Sequence, residues 1–111
     1  MYKKFMIIVV NLDPRVGHEV KKRRPCVIIS PDEMNNSVKT VTVAPLTSTE
    51  RKIPTRIMIK ASNESGLDND SYVMLDQITT IDQSRVEKII GSVSDSEEQD
   101  ITDGLLELFA R

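Results

Sequence analysis

The sequence predicts a mainly β domain: a small, strongly curled antiparallel sheet closed by one C-terminal helix. Three observations carry this. Short runs rich in Ile and Val follow one another, separated by Pro, Gly, Asn and Asp. A helix start stands near the end, where Ser94-Asp95-Ser96-Glu97 has capping-box spacing and Ile101, Leu105 and Leu108 follow on one face with Phe109 beside them. The length, 111 residues, suits a single domain over 1–111 with one modest core. That core must be aliphatic, because the aromatics are only Tyr2, Phe5, Tyr72 and Phe109.

Residues 5–12 form a nearly continuous apolar run and read as a strand buried on both faces. Asp13-Pro14 breaks it, since proline fixes φ and lacks a ladder donor. A second buried strand spans 26–30 and ends at Pro31-Asp32; 33–37 is polar and reads as a turn or a short helical turn. Residues 40–44 (TVTVA) alternate as a third strand, 45–49 leave it, and Glu50-Arg51-Lys52 is an exposed tip. A fourth strand covers 56–60 (RIMIK), then 61–71 is a surface loop. Residues 72–75 make a fifth strand that Asp76-Gln77 ends or bulges, 78–81 continue the sheet, 82–84 turn, and 86–92 are a last strand or a short helix, with the strand favoured. Gly104 inside the terminal helix costs about 1 kcal/mol against Ala. A domain this small gains by burying part of its sheet against a second copy, so a homodimer is expected.

Hydrophobic residues make up 39% and charged residues 29%, an ordinary balance for a water-soluble domain. The net charge of −2 hides an asymmetry: residues 1–60 carry twelve Lys/Arg and five Asp/Glu, residues 61–111 three and twelve. A basic front half fits a polyanion partner or a solvated surface, and the overall acidity argues against tight non-specific binding to nucleic acid. The single cysteine, Cys26, excludes an internal disulfide and reads as packing in a buried strand. One His and one Cys give no metal site of recognised spacing, and no cofactor is expected. The apolar run MIIVV is too short for a signal peptide or a membrane span, so a cytoplasmic location is expected.

The stretch LDPRVGHEVKKRRPCVIIS, residues 12–30, holds the chemistry. Between two strands it places a Gly, the only His, a Glu and four consecutive cations, Lys21, Lys22, Arg23 and Arg24, followed by Pro25. Arg24 stands where loop meets strand, so it is held more firmly than the cations before it. A guanidinium fixed there can grip a phosphate with two parallel hydrogen bonds.

These residues carry a resemblance. The run L-D-P-x-x-G-H-E-x-x-x-x-R-P-C-V-I-I-S, the Pro-x-Thr-Ser segment after the third strand and L-D-Q-I-T-T-I-D further on are similar to the MazF/PemK/Kid toxins of bacterial toxin–antitoxin systems, from Ile7 to Asp82. The resemblance implies an SH3-like, PemK-type curled β-barrel acting as a dimer. It implies a metal-independent, sequence-specific endoribonuclease that cuts single-stranded RNA, mostly mRNA, and a cognate antitoxin whose disordered tail blocks the RNA groove. By position Arg24 corresponds to the family's catalytic arginine and Thr47 to its catalytic threonine. His18 and Asp76 match positions with acid–base or RNA-contact roles in the PemK/Kid branch. Gly17, Glu19, Lys21, Lys22, Arg23, Pro25, Ser48 and Gln77 flank these positions and are expected to bind RNA. Two departures stand out. Family members open strand one with Gly, an acid and an aromatic, where this chain has Phe5, Met6 and Ile8. The branch also has an arginine two residues before the Asp, where this chain has Met74. The second departure favours a site centred on Arg24 and Thr47.

RNA carries its own nucleophile. The 2′-OH attacks the neighbouring phosphorus and the 5′-oxygen leaves, so a catalyst must move two protons and stabilise the added charge. Arg24, always protonated, suits the charge better than the base. Thr47 can donate its hydroxyl to a phosphate oxygen. His18 suits either proton transfer near neutral pH or an RNA contact. Asp76 suits a base, a base-edge acceptor or the partner of an arginine. Glu19 is placed to steady Arg24 or a neighbour, and Tyr72 to stack on a base or to lie in the core or dimer surface. The competing reading is a binding protein of similar fold: a CcdB-like gyrase poison, or a non-catalytic relative that holds only RNA or antitoxin.

Overall fold

The computed structural model describes residues 1–12 and 23–110. Their elements run β1 (Met6–Asn11), β2 (Arg23–Ile28), α1 (Asp32–Ser37), β3 (Thr40–Thr47), β4 (Arg56–Ile59), β5 (Ser71–Met74), a 3-10 turn at Leu75–Gln77, β6 (Thr79–Asp82), a second such turn at Gln83–Arg85, β7 (Val86–Ser92) and α2 (Asp95–Phe109). The strands pair in the order β4-β5-β3-β2-β1-β7, all antiparallel, with β6 also on β3. The expected curled antiparallel sheet with a terminal helix is therefore present, barrel-like but open between β4 and β7.

Both faces of the sheet are buried, which is why β1 and β2 read as unbroken apolar runs. Ile7, Val27, Ala44, Leu46 and Val73 fill one face and are closed over by Leu75, Val93 and Ile101. Ile8, Val10, Cys26, Ile28, Val41, Val43 and Ile81 fill the other. The antiparallel register enforces this split, since Ile7 pairs with Val27 and Ile8 with Cys26. Two register shifts between β1 and β7, at Ile7/Ile8 and Val9/Val10, bend β7 around the sheet.

β3 is longer than its alternation suggests. Residues 45–47, expected to leave the strand, continue it to Thr47. Pro45 pairs with Cys26 on one edge, while the other edge changes partner from β6, through Val43, to β5, from Leu46. The proline lies where the ladder on that edge is interrupted, so its missing N–H costs little. β2 likewise begins at Arg23 rather than at Cys26, because β1 pairs as far as Asn11 with Arg23.

The capping box of α2 is formed: Ser94 Oγ accepts from Glu97 N at 3.3 Å and Glu97 Oε1 accepts from Ser94 N at 2.9 Å. Glu97 Oε2 also accepts from Lys60 N at 2.9 Å, fastening the helix start to the end of β4. The predicted packing face needs correction. Ile101 and Gly104 are buried, whereas Leu108 is 38% exposed and Phe109 69%. A four-residue strand is about 13 Å long and a fifteen-residue helix about 22 Å, so the helix overruns β4 and its last turn loses the cover. Gly104 is a contact point rather than a defect, since a Cβ there would lie 2.7 Å from Leu75 Cδ1. Among the described residues no helix is long and apolar enough to cross a membrane.

Candidate active site

Arg24 is the second residue of β2, opposite Val10 of β1. Its guanidinium is partly buried and donates from Nη1 to the Leu46 carbonyl at 3.2 Å, one residue before Thr47. Thr47 ends β3, and its Oγ1 accepts from Thr49 N at 3.2 Å. That bond fixes the oxygen and leaves the hydroxyl proton free to be donated elsewhere. Both side chains line two adjoining cavities of about 600 and 340 Å³. The larger holds Pro25, Ser48 and Lys88; the smaller holds Arg51, Arg56 and Gln77. Four cationic side chains (Arg24, Arg51, Arg56 and Lys88) thus border one continuous cleft.

Asp76, in the Leu75–Gln77 turn, is gripped by Arg56. Arg56 Nε lies 2.7 Å from Oδ1 and Nη2 3.0 Å from Oδ2, while Thr55 Oγ1 donates at 3.4 Å. The Arg56 hydrogen bond, more than any other influence, holds the Asp76 carboxyl below its ordinary pKa. The same bond raises Arg56. An ionised carboxylate whose lone pairs are already engaged is a weak proton acceptor, so the geometry favours the ion-pair reading of Asp76 over the general-base reading. Arg56 is the residue that sequence reasoning missed. It is the cross-strand partner of Met74, so β4 delivers a guanidinium to Asp76 from beside the position where the branch has its arginine. An arginine within the alternating RIMIK strand was its only trace in the sequence.

Other candidates fall in varied surroundings. Arg23 is 63% exposed and pairs with Glu87 at 3.1 Å, so part of its charge is already spoken for. Tyr72 is half-buried and sits in register beside Thr47, with Met58 on its other side, so the three share one face. Cys26 is fully buried, and burial pushes its thiol up to about 12 with Arg24 opposing, in keeping with a packing role. His18, Gly17, Glu19, Lys21 and Lys22 lie outside the described residues. Lys88, Arg51 and the 66–69 segment, read from sequence as strand, tip and loop, also border the cleft. Among the described residues no three His, Cys, Asp or Glu side chains converge as a metal site would require.

Fold and cleft together define a small curled-sheet protein with a cationic groove at the ends of its central strands. Comparison with known proteins gives the family. Residues 3–109 match the PemK-like, MazF-like toxins of type II toxin–antitoxin systems, and the chain belongs to that family. It is 33% identical over 107 residues to an Endoribonuclease MazF from Staphylococcus saprophyticus, covering 95% of this chain and 88% of that one. Among solved structures it is similar to the Mycobacterium tuberculosis toxin MazF-mt6, with 29% identity, a TM-score of 0.80 and coverage of 94% and 95% of the two chains. A MazE–MazF structure from Deinococcus radiodurans shares the fold at 23% identity, with a TM-score of 0.81 and coverage of 96% and 94%.

Proposed function

We propose that this toxin is a sequence-specific endoribonuclease that cuts single-stranded RNA, chiefly mRNA in the cytoplasm, by metal-independent attack of the 2′-OH on phosphorus. The observation that carries the reading is the placement of Arg24 and Thr47 at the border shared by two cavities. A phosphodiester lying there has a fixed guanidinium for the charge that develops on its oxygens and a hydroxyl proton to hold it in register. Nucleotides on either side enter the two cavities. Arg56 and Asp76 act as a pair that fixes the second cavity's polar border, with Gln77 beside them as an RNA contact. Ser48 and Pro25 contact RNA in the first cavity. From their place in the sequence motif, His18 serves proton transfer or an RNA contact and Glu19 steadies the cations. Arg23, Lys21 and Lys22 collect flanking phosphates.

The active unit is a homodimer, and a cognate antitoxin occupies the same groove. Large apolar side chains left exposed, Met58 and Ile89 on the sheet and Leu106 and Phe109 on α2, support association. The test is to incubate the protein with a long single-stranded RNA in excess EDTA and map the cut sites and end groups. Cuts at one short motif leaving a 5′-OH and a cyclic or 3′-phosphate are expected. Arg24→Ala should abolish them while the protein stays folded and dimeric. Intact RNA with folded wild-type protein would overturn the reading and favour a gyrase-type or binding-only toxin.

A further inference from the structure

The larger cavity is more than an annex to Arg24 and Thr47. Its apolar lining includes Val9, Leu46, Leu67 and Ile90, surfaces on which a planar ring can lie. Its volume of about 600 Å³ admits a nucleoside-sized group. The loop between β4 and β5 contributes two polar residues to its lining, Asp68 and Asn69. Both residues are exposed, and neither side chain bonds to another described residue. Their hydrogen-bonding capacity is uncommitted at the place where a base beside the scissile phosphate would sit.

The loop that carries them is held rigidly, which a reader of base edges requires. Gly66 adopts φ +71°, and a Cβ on it would come within 2.0 Å of the Ile90 carbonyl oxygen. Gly91 is as tight from the other side, 2.3 Å from the Glu64 carbonyl oxygen. Ser65 is buried, donating to Lys60 O at 2.9 Å and accepting from Ser62 N at 3.0 Å and Leu67 N at 3.3 Å. Ser92 N donates to Glu64 O at 2.9 Å, and Asp70 Oδ1 accepts from Ala61 N at 2.8 Å. Loop and β7 are interlocked backbone to backbone, so Asp68 and Asn69 start from fixed positions.

We propose that Asp68 and Asn69 determine sequence specificity at the base next to the scissile phosphate, Asp68 by accepting a hydrogen bond from its exocyclic amino group and Asn69 by bonding to the neighbouring edge atom. The inference rests on the ribonuclease reading and deepens it. A carboxylate only accepts, so Asp68 selects a base that donates at its edge. Adenine, cytosine and guanine carry an amino group; uracil offers two carbonyl oxygens and one N–H, and its oxygens would face the carboxylate. Asn69 donates and accepts, and so completes the pattern on the neighbouring edge atom. The position served by this cavity therefore disfavours uracil, whose one edge donor, N3–H, lies between two carbonyl oxygens that would crowd the carboxylate.

The test compares wild type, Asp68→Ala, Asn69→Ala and the double variant on short RNAs containing the mapped cut motif. Each base flanking the cut is varied, and kcat/KM is measured for each RNA. At one position wild type should prefer an amino-bearing base over uracil by roughly 10- to 100-fold, and the variants should flatten that preference. Replacing the preferred base by its analogue lacking the amino group (inosine, purine riboside or 2-pyrimidinone riboside) should cost wild type the same factor and cost Asp68→Ala little. A loop that is merely structural would lower all substrates alike and leave the ratios unchanged. Cleavage with an unchanged base profile in the folded double variant overturns this inference alone. If folded wild type cuts no RNA in the mapping experiment, the ribonuclease reading fails and this inference fails with it.

Discussion

Gly66→Ala should be among the most damaging single-methyl additions in the chain. Two effects add. The residue sits at φ +71°, where a side chain costs roughly 1–2 kcal/mol. The new Cβ would also lie 2.0 Å from the Ile90 carbonyl oxygen and 2.8 Å from its carbon, atoms of a paired strand that cannot swing aside. Relief requires lifting the loop from β7, which gives up the Ser92 N to Glu64 O bond and a further ~1 kcal/mol. The sum is about 2–3 kcal/mol, a drop in urea midpoint of about 0.7–3 M for a domain of this size. Urea denaturation at fixed protein concentration reads it, since association would otherwise shift the midpoint. Gly91→Ala strikes the same interlock from the opposite strand, 2.3 Å from Glu64 O. A single displacement of the loop relieves both clashes, so the double variant should lose clearly less than the two single losses together. If Gly66→Ala unfolds within about 0.5 kcal/mol of wild type, the loop is not locked to β7, and the argument for pre-set Asp68 and Asn69 goes with it.

Three further outcomes are expected. Arg24→Lys should fold normally and lose roughly 100- to 1,000-fold in single-turnover cleavage, because an ammonium cannot reproduce the fork that binds two phosphate oxygens; near-normal cleavage would refute the clamp. In Arg56→Met, the Asp76 carboxyl should titrate closer to its ordinary value, followed by NMR. Its folded pKa is lowered in wild type, so the pair's contribution to stability is present above the unfolded pKa and lost as pH falls through the folded one. The variant should therefore show a weaker loss of stability on acidification, and an identical pH profile would contradict the pairing. Cys26, buried with its thiol pushed up to about 12, should resist thiol reagents at neutral pH in the native protein and react at once in denaturant; fast native labelling would place it outside the core.

The legible parts of the fold were those written in local pattern. The Ile/Val runs gave β1 and the apolar part of β2, the alternation in TVTVA and RIMIK gave β3 and β4, and the Ser94–Glu97 spacing gave the start of α2. Arg24 and Thr47 were legible as members of a motif. What local pattern misjudged was extent. β2 and β3 each run further than their apolar residues, into Arg23-Arg24 and through Pro45 to Thr47, because pairing with β1 and β5 holds residues that propensity would release. The helix face was misjudged for the same reason. Spacing puts Leu108 in line with Ile101, but the short β4 decides where cover ends.

The sequence alone determined the class of fold, the aliphatic character of the core and the arginine–threonine signature of a toxin family, since these depend on residue type and order along the chain. Only the tertiary structure decided which side chains meet. Arg56 reaches Asp76 from a strand partnered with Met74, Gly66 and Gly91 lock a loop to a distant strand, and Asp68 comes to line a cavity with Arg24. Each is a contact across sheet register or loop closure, and a register is fixed by the simultaneous burial of both sheet faces rather than by any one segment.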